Sequence, residues 1–169
     1  LIDKIDPLRN HGISIVNGEI DFITAGLNYR LTNIQAAIGI IQLKKFPKGL
    51  SVRLKQVQLY MRLLEGIPGI TLPEFNKNSS WQTFMIVLDE KVDRSKIILK
   101  LKNKGIESNI GAQALSSLTH YKNKYKFYAE HFPVSNNLYK KGLALPIGDH
   151  MGDNEVKYIS KSLINILQG

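Results

Sequence analysis

GLNYRLTNIQAAIGIIQLKKF, residues 26–46, joins a polar loop bearing Asn28, Tyr29 and Arg30 to a strongly patterned helix. Thr32 is a helix-capping residue type, and Gln35 three positions on completes a capping box, in which two orphan backbone donors are satisfied reciprocally. Ile34, Ala37, Ile38 and Ile41 follow at helical spacing, while the small Ala36, Ala37 and Gly39 would let another backbone approach, which suits a packing interface. A helix N-terminus offers free N–H groups and the positive end of the helix dipole. Asn28 and Arg30 could add donors there for a phosphate. On spacing alone the stretch reads first as a capped core helix after an ordinary turn, because capping boxes are far commoner than phosphate sites.

Upstream, residues 22–29 read as an irregular crossing segment. Downstream, the spacing predicts a helix over 33–46 that Pro47 and Gly49 interrupt, then a second over 51–64 with Val57, Met61 and Leu64 on its apolar face. Gly66-Ile67-Pro68-Gly69 is a stop signal, and residues 83–88 are a continuous apolar run, the pattern of a buried strand. Asp93 can cap a helix over 94–104 whose Ile97, Ile98 and Leu101 face the core and whose Arg94, Lys96, Lys100, Lys102 and Lys104 stay wet. Gly105 suits the left-handed position after that helix, and 106–110 reads as a returning strand. Residues 143–147 form a short extended piece. Asp153 opens a last helix with Val156, Ile159, Leu163 and Ile166 as its buried stripe. The expected body is a small α/β domain preceded by two helices.

With 169 residues, 43% of them hydrophobic, the chain can bury a real core, and one domain with an N-terminal extension is the natural count. No apolar run approaches the roughly 18 residues of a membrane span. Residues 1–10 lack a signal-peptide pattern, so a cytoplasmic setting is expected. The absence of cysteine excludes disulfides and thiolate metal sites. His11, His120, His131 and His150 are too scattered for a metal motif, and no hydrolase elbow, dinucleotide fingerprint or P-loop occurs. The formal charge of +9 raises a polyanion as partner, best supported by His120-Tyr121-Lys122-Asn123-Lys124-Tyr125-Lys126-Phe127-Tyr128, where lysines alternate with rings that could stack on bases. No nucleic-acid motif accompanies the charge. The favoured reading is an amphipathic helix with rings packed inward and lysines solvated.

Several segments in order resemble one family: Arg9-Asn10-His11-Gly12, then GLNYRLTNIQAAIGIIQL, then residues 53–64, Ser80-Trp81-Gln82-Thr83-Phe84, Lys104-Gly105-Ile106 and Leu143-Ala144-Leu145-Pro146-Ile147. Together they are similar to the DegT/DnrJ/StrS aminotransferases, pyridoxal-phosphate (PLP) enzymes of fold type I that aminate nucleotide-linked keto sugars for polysaccharide and amino-sugar biosynthesis. The resemblance implies the C-terminal part of that fold: residues 1–25 as a remnant of the large PLP-binding domain, 26–66 as signature loop and linking helices, and 67–169 as the small α/β domain. The family's Schiff-base lysine lies in a segment ahead of the Arg-x-His-Gly stretch, and that segment does not occur here. The resemblance therefore implies that the lysine precedes Leu1, and that the chain by itself is inactive.

By the same resemblance, Asn28 matches the asparagine that reaches the neighbouring subunit's site and hydrogen-bonds the PLP phosphate, so the complete enzyme would be a homodimer. Arg30 matches a basic position suited to the phosphates of the nucleotide sugar, a surface or structural ion pair being the plain alternative. Glutamate would be the amino donor. Gln82 and Ser116 stand where many relatives have histidine, which puts substrate preference in doubt, and His120 could serve from a shifted position. Two other classes remain open: a non-catalytic module that pairs with a separate lysine-bearing chain, and a basic nucleic-acid-binding domain.

Overall fold

The computed structural model describes residues 1–169, whose elements run α1 (Ile2–Arg9), β1 (Ile13–Val16), β2 (Glu19–Phe22), α2 (Asn33–Leu64), β3 (Ile70–Thr71), β4 (Phe84–Leu88), α3 (Arg94–Lys102), α4 (Thr119–Tyr125), α5 (Pro133–Lys141), β5 (Gly142–Leu145) and α6 (Asp153–Gln168). Single 3-10 turns precede α4 and α5. The chain divides into two units, Leu1–Phe46 and Pro47–Gly169, with the division inside α2.

In the second unit β3, β4 and β5 form an antiparallel sheet in that order, with Ile70 opposite Leu88, Phe84 opposite Leu145 and Ile86 opposite Leu143. The apolar run read as a strand alternates once folded. Phe84, Ile86 and Leu88 are fully buried, while Met85 and Val87 are half-buried on the other face. The buried face meets Val57, Tyr60 and Leu64 of α2, Ile97 and Leu101 of α3, and Val156, Ile159 and Leu163 of α6 in one core. Each such side chain contributes about 1.5–3 kcal/mol when fully buried. Asp93 caps α3 as its sequence demands, its carboxylate accepting from the Ser95 and Lys96 N–H groups at 2.9 and 3.2 Å. Trp81, 7% exposed, stacks on Phe75 and donates its indole N–H to the Asn76 carbonyl at 2.8 Å.

Four expectations are corrected. First, α2 is a single helix of 32 residues, not two. Pro47 removes one N–H and leaves the Leu43 carbonyl without its helical partner, but both residues are exposed, so water can take that carbonyl and the helix continues. Second, residues 106–110 pair with β5 only through one bridge, Asn109 to Ala144. The Asn109 side chain captures the Ile110 N–H at 2.8 Å and Gly111 turns the chain away at φ +74°, which ends the pairing. Third, Arg94 is not simply wet: its guanidinium donates to the Tyr139 carbonyl, and to that of Gly142 at 3.1 Å. Fourth, the aromatic segment packs its rings inward only in part: its lysines are solvated as expected and Tyr121 and Phe127 are half-buried, but Tyr125 and Tyr128 are exposed. The helix stops at Tyr125 because Lys126 adopts φ +55°, and no residue of α4 is buried. Instead the rings stack along the surface, Tyr121 on Tyr125 at 6.0 Å and Tyr125 on Phe127 at 5.5 Å. No helix is long and apolar enough to cross a membrane.

Tyr60 is fully buried, stacks on Phe84 at 4.8 Å and donates its hydroxyl to the Pro146 carbonyl at 2.9 Å. Burial pushes its phenol well above the ordinary value of 10. A raised acid keeps its proton more tightly when folded, so the contribution is fully present below pH 10 and is lost as pH rises beyond it. Unfolding free energy of the parent should therefore fall above about pH 10 with a slope of roughly one proton, and Tyr60→Phe should remove that share of the slope. Denaturant melts from pH 8 to 11.5 read it; identical slopes in the two proteins would refute it.

Candidate functional site

The first unit is built around a crossing of two backbone segments. After α1, whose Arg9 is paired with Asp6 at 2.8 Å, the chain turns through His11 at φ +58° and Gly12 at φ +79°. It then runs out and back as the hairpin β1–β2, with Ile15 opposite Ile20 and the tight turn at Asn17-Gly18, φ +53° and +87°. Two left-handed residues in a two-residue loop match the twist of the strands they join. Sequence reading missed this hairpin although Asn-Gly between two short apolar runs is its strongest local signal.

Residues 24–29 return against 8–12. The Leu27 N–H donates to the Leu8 carbonyl at 2.8 Å, the His11 N–H to the Leu27 carbonyl at 3.0 Å and the Tyr29 N–H to the Arg9 carbonyl at 2.8 Å, which places Asn28 opposite Asn10. The two strands of the crossing touch backbone to backbone. A Cβ on Gly12 would lie 1.7 Å from the Thr24 carbonyl oxygen, and one on Gly26 would lie 2.1 Å from the Gly12 nitrogen. The two segments quoted as the family resemblance, Arg9 to Gly12 and the loop from Gly26, are thus the two halves of one structure.

This crossing fixes the backbone of Asn28 on both sides and leaves its side chain exposed. Arg30, also exposed, donates its Nε–H to Asn28 Oδ1 at 3.1 Å. Because a guanidinium only donates, the amide atom facing it is the oxygen, and both Nδ2 hydrogens of Asn28 stay available. The Arg30 Nη groups keep their own hydrogens. Two residues further on, Thr32 caps α2 as the sequence predicts: its N–H donates to Gln35 Oε1 at 3.0 Å, and Thr32 Oγ1 accepts from the Gln35 N–H at 3.2 Å. The loop therefore presents neutral amide donors beside a fixed positive charge, next to a capped helix start. This donor set suits a phosphate and offers a metal ion nothing beyond carbonyls. The apolar stripe of α2 downstream lies open, Ile34 being 75% and Ile38 58% exposed.

In the second unit, the residues weighed for substrate contact fall apart. Ser116 is buried, with Asn136 Nδ2 at 3.5 Å from its hydroxyl, and cannot face a substrate. Ala112 and Gln113, earlier in the same loop, line an open cavity of about 510 Å³ with Met85, Phe132, Leu138 and Tyr139. His120 is exposed at the start of α4, edge-on to Tyr121 at 5.4 Å. Gln82 is exposed beside Trp81.

The chain is 30% identical over 167 residues to the dTDP-4-amino-4,6-dideoxy-D-glucose transaminase of Escherichia coli, covering 95% of this chain and 44% of that protein. It is 28% identical to the spore coat polysaccharide biosynthesis protein SpsC of Bacillus subtilis (strain 168), over 100% of this chain and 47% of that protein. It thus spans a little under half the length of the curated relatives it matches. Among solved structures it superposes on the putative sugar aminotransferase Spr1654 of Streptococcus pneumoniae with a TM-score of 0.85 at 26% identity, over 98% of this chain and 43% of that one, a protein also solved in PLP and PMP forms. A model of the DegT/DnrJ/EryC1/StrS aminotransferase family matches residues 1–164, and the chain belongs to that family.

Proposed function

We propose that these residues work within a PLP-dependent aminotransferase that moves an amino group from glutamate to a nucleotide-linked keto sugar, in polysaccharide or amino-sugar biosynthesis. The family membership and the two curated relatives support the reaction class. One observation carries the site: the Asn28 amide, with its oxygen occupied by Arg30, turns two N–H donors outward from a rigid crossing of backbone. In this reading residues 1–25 continue a large cofactor-binding domain, 26–66 hold the signature loop and the linking helix, and 67–169 form the small domain.

PLP, when bound, supplies the electron sink for amino-group transfer. The residues here bind and orient. Asn28 donates to the cofactor phosphate bound in the neighbouring subunit of a homodimer, without adding a charge that would have to be desolvated. Arg30 offers its remaining N–H groups to the phosphates of the nucleotide sugar. The Schiff-base lysine is contributed from outside these 169 residues.

The enzyme carrying this chain is expected to convert a nucleotide-linked ketosugar to the aminosugar only when glutamate and PLP are supplied, with mass spectrometry of the sugar nucleotide as the readout. No glutamate-dependent amination across a panel of keto sugars would refute the reading. In the same enzyme, Asn28→Ala should weaken pyridoxamine phosphate binding about 10–100-fold, the loss of a hydrogen bond to a charged group. An unchanged affinity would remove Asn28 from the site.

A further inference from the structure

We infer that Arg30 acts on the cofactor through Asn28, as a positioning residue that fixes which face of the amide meets the phosphate. The inference rests on the phosphate-site reading above and adds a role for Arg30 distinct from contact with the sugar nucleotide. The asparagine amide is nearly symmetric in shape, and its two faces are chemically opposite: Nδ2 attracts a phosphate oxygen and Oδ1 repels it. A free, exposed amide samples both. Here the backbone of Asn28 is held by the Tyr29 and His11 hydrogen bonds, so the side-chain torsions are the freedom that remains. The Arg30 Nε–H on Oδ1 at 3.1 Å removes it by selecting the orientation with Nδ2 free. No other side-chain hydrogen bond is made by Asn28, so this selection falls to Arg30 alone.

The chemistry of the contact separates positioning from simple charge. The atom that donates, Nε, is bonded to Cδ; the Nε2 of a glutamine is bonded to Cδ as well. Arg30→Gln therefore keeps an N–H donor at the same reach while removing the charge. Arg30→Met keeps the length and removes both. Arg30→Lys keeps the charge on a longer, single-point stem.

The test measures the dissociation constant of pyridoxamine phosphate, which forms no covalent bond to the protein, in the complete enzyme without sugar nucleotide. About 1 M salt shortens the screening length to about 3 Å and suppresses the long-range pull of the Arg30 charge. Arg30→Met is expected to weaken binding by up to about sixfold, the loss of one orientation selected among two amide faces and three χ1 wells, and Arg30→Gln to stay within about twofold of the parent. The Asn28→Ala, Arg30→Met double variant should bind no more weakly than Asn28→Ala alone, because the second change has nothing left to orient. Losses that multiply in the double variant, or Arg30→Gln as weak as Arg30→Met with Arg30→Lys at parent affinity, would overturn positioning while leaving Asn28 in the site. If Asn28→Ala itself binds like the parent, the phosphate reading fails and this inference with it. Arg30 is exposed and touches no core residue, so differences between its Gln and Met variants report the contact, not folding.

Discussion

Gly12→Ala is expected to detach residues 24–29 from residues 8–12 while leaving the second unit intact. The left-handed φ of +79° alone costs a non-glycine residue about 1–2 kcal/mol. The larger cost is steric. The added Cβ would lie 1.7 Å from the Thr24 carbonyl oxygen, whereas real Cβ contacts essentially never fall below 3.0 Å. The obstacle is backbone, so no rotamer change relieves it, and the crossing must open. Hydrogen exchange reads this directly: the Leu27, His11 and Tyr29 amides, whose acceptors lie across the crossing, should lose their protection, and amides of β4 and β5 should exchange as in the parent. Since Asn28 is placed by those same bonds, pyridoxamine phosphate affinity should fall at least as far as in Asn28→Ala. Parent-like protection of Leu27 and Tyr29 in the variant would show that the segments do not cross as described.

The second large effect lies in the other unit. Gln56, 2% exposed on α2, donates to the carbonyls of Gly148 and Met151 at 2.8 and 2.7 Å and accepts from the Gly148 N–H at 3.0 Å. One side chain thereby pairs three backbone groups of the turn between β5 and α6. Gln56→Ala leaves all three without a protein partner and opens a void, at an expected cost of about 3–5 kcal/mol. Gln56→Glu should also destabilise strongly at neutral pH, because a carboxylate oxygen would face two carbonyls where an amide now donates. Urea unfolding of the second unit gives the answer; a loss below about 1 kcal/mol for Gln56→Ala would mean that water or a shifted turn replaces the clamp.

The legible parts of this chain were those governed by local chemistry. The Thr32–Gln35 box, the Asp93 cap, the left-handed Gly105 and the α6 stripe of Val156, Ile159, Leu163 and Ile166 each depend on residues within a few positions of one another, and each is found as the sequence predicts. The misreadings arose where distant parts or solvent decided. Pro47 looks like a break, yet exposure lets the helix run through it. The 106–110 segment has strand composition but loses its ladder to the Asn109 side chain. The aromatic segment has helical spacing, and a single left-handed lysine ends the helix early. For the candidate site, Asn28 and Arg30 could be named from the sequence by resemblance. That Arg30 donates to Asn28 could not be, since side chains two apart share a face only where the backbone is extended, and the backbone here is extended by the bridge of Asn28 to Asn10 across the crossing. Nor does anything in the sequence say that Gly12 and Gly26 meet, because their pairing spans the whole hairpin between them.

The chain has one tryptophan, and Trp81 is packed against Phe75 and near Phe84 in the second unit. Its emission consequently reports the packing of that unit's core. The first unit holds a single tyrosine, Tyr29, and is almost invisible to the same light. A fluorescence screen of these residues would rank Gln56→Ala as severe and pass Gly12→Ala as normal, so the unit that carries the phosphate donors can lose its crossing without any change in the tryptophan signal.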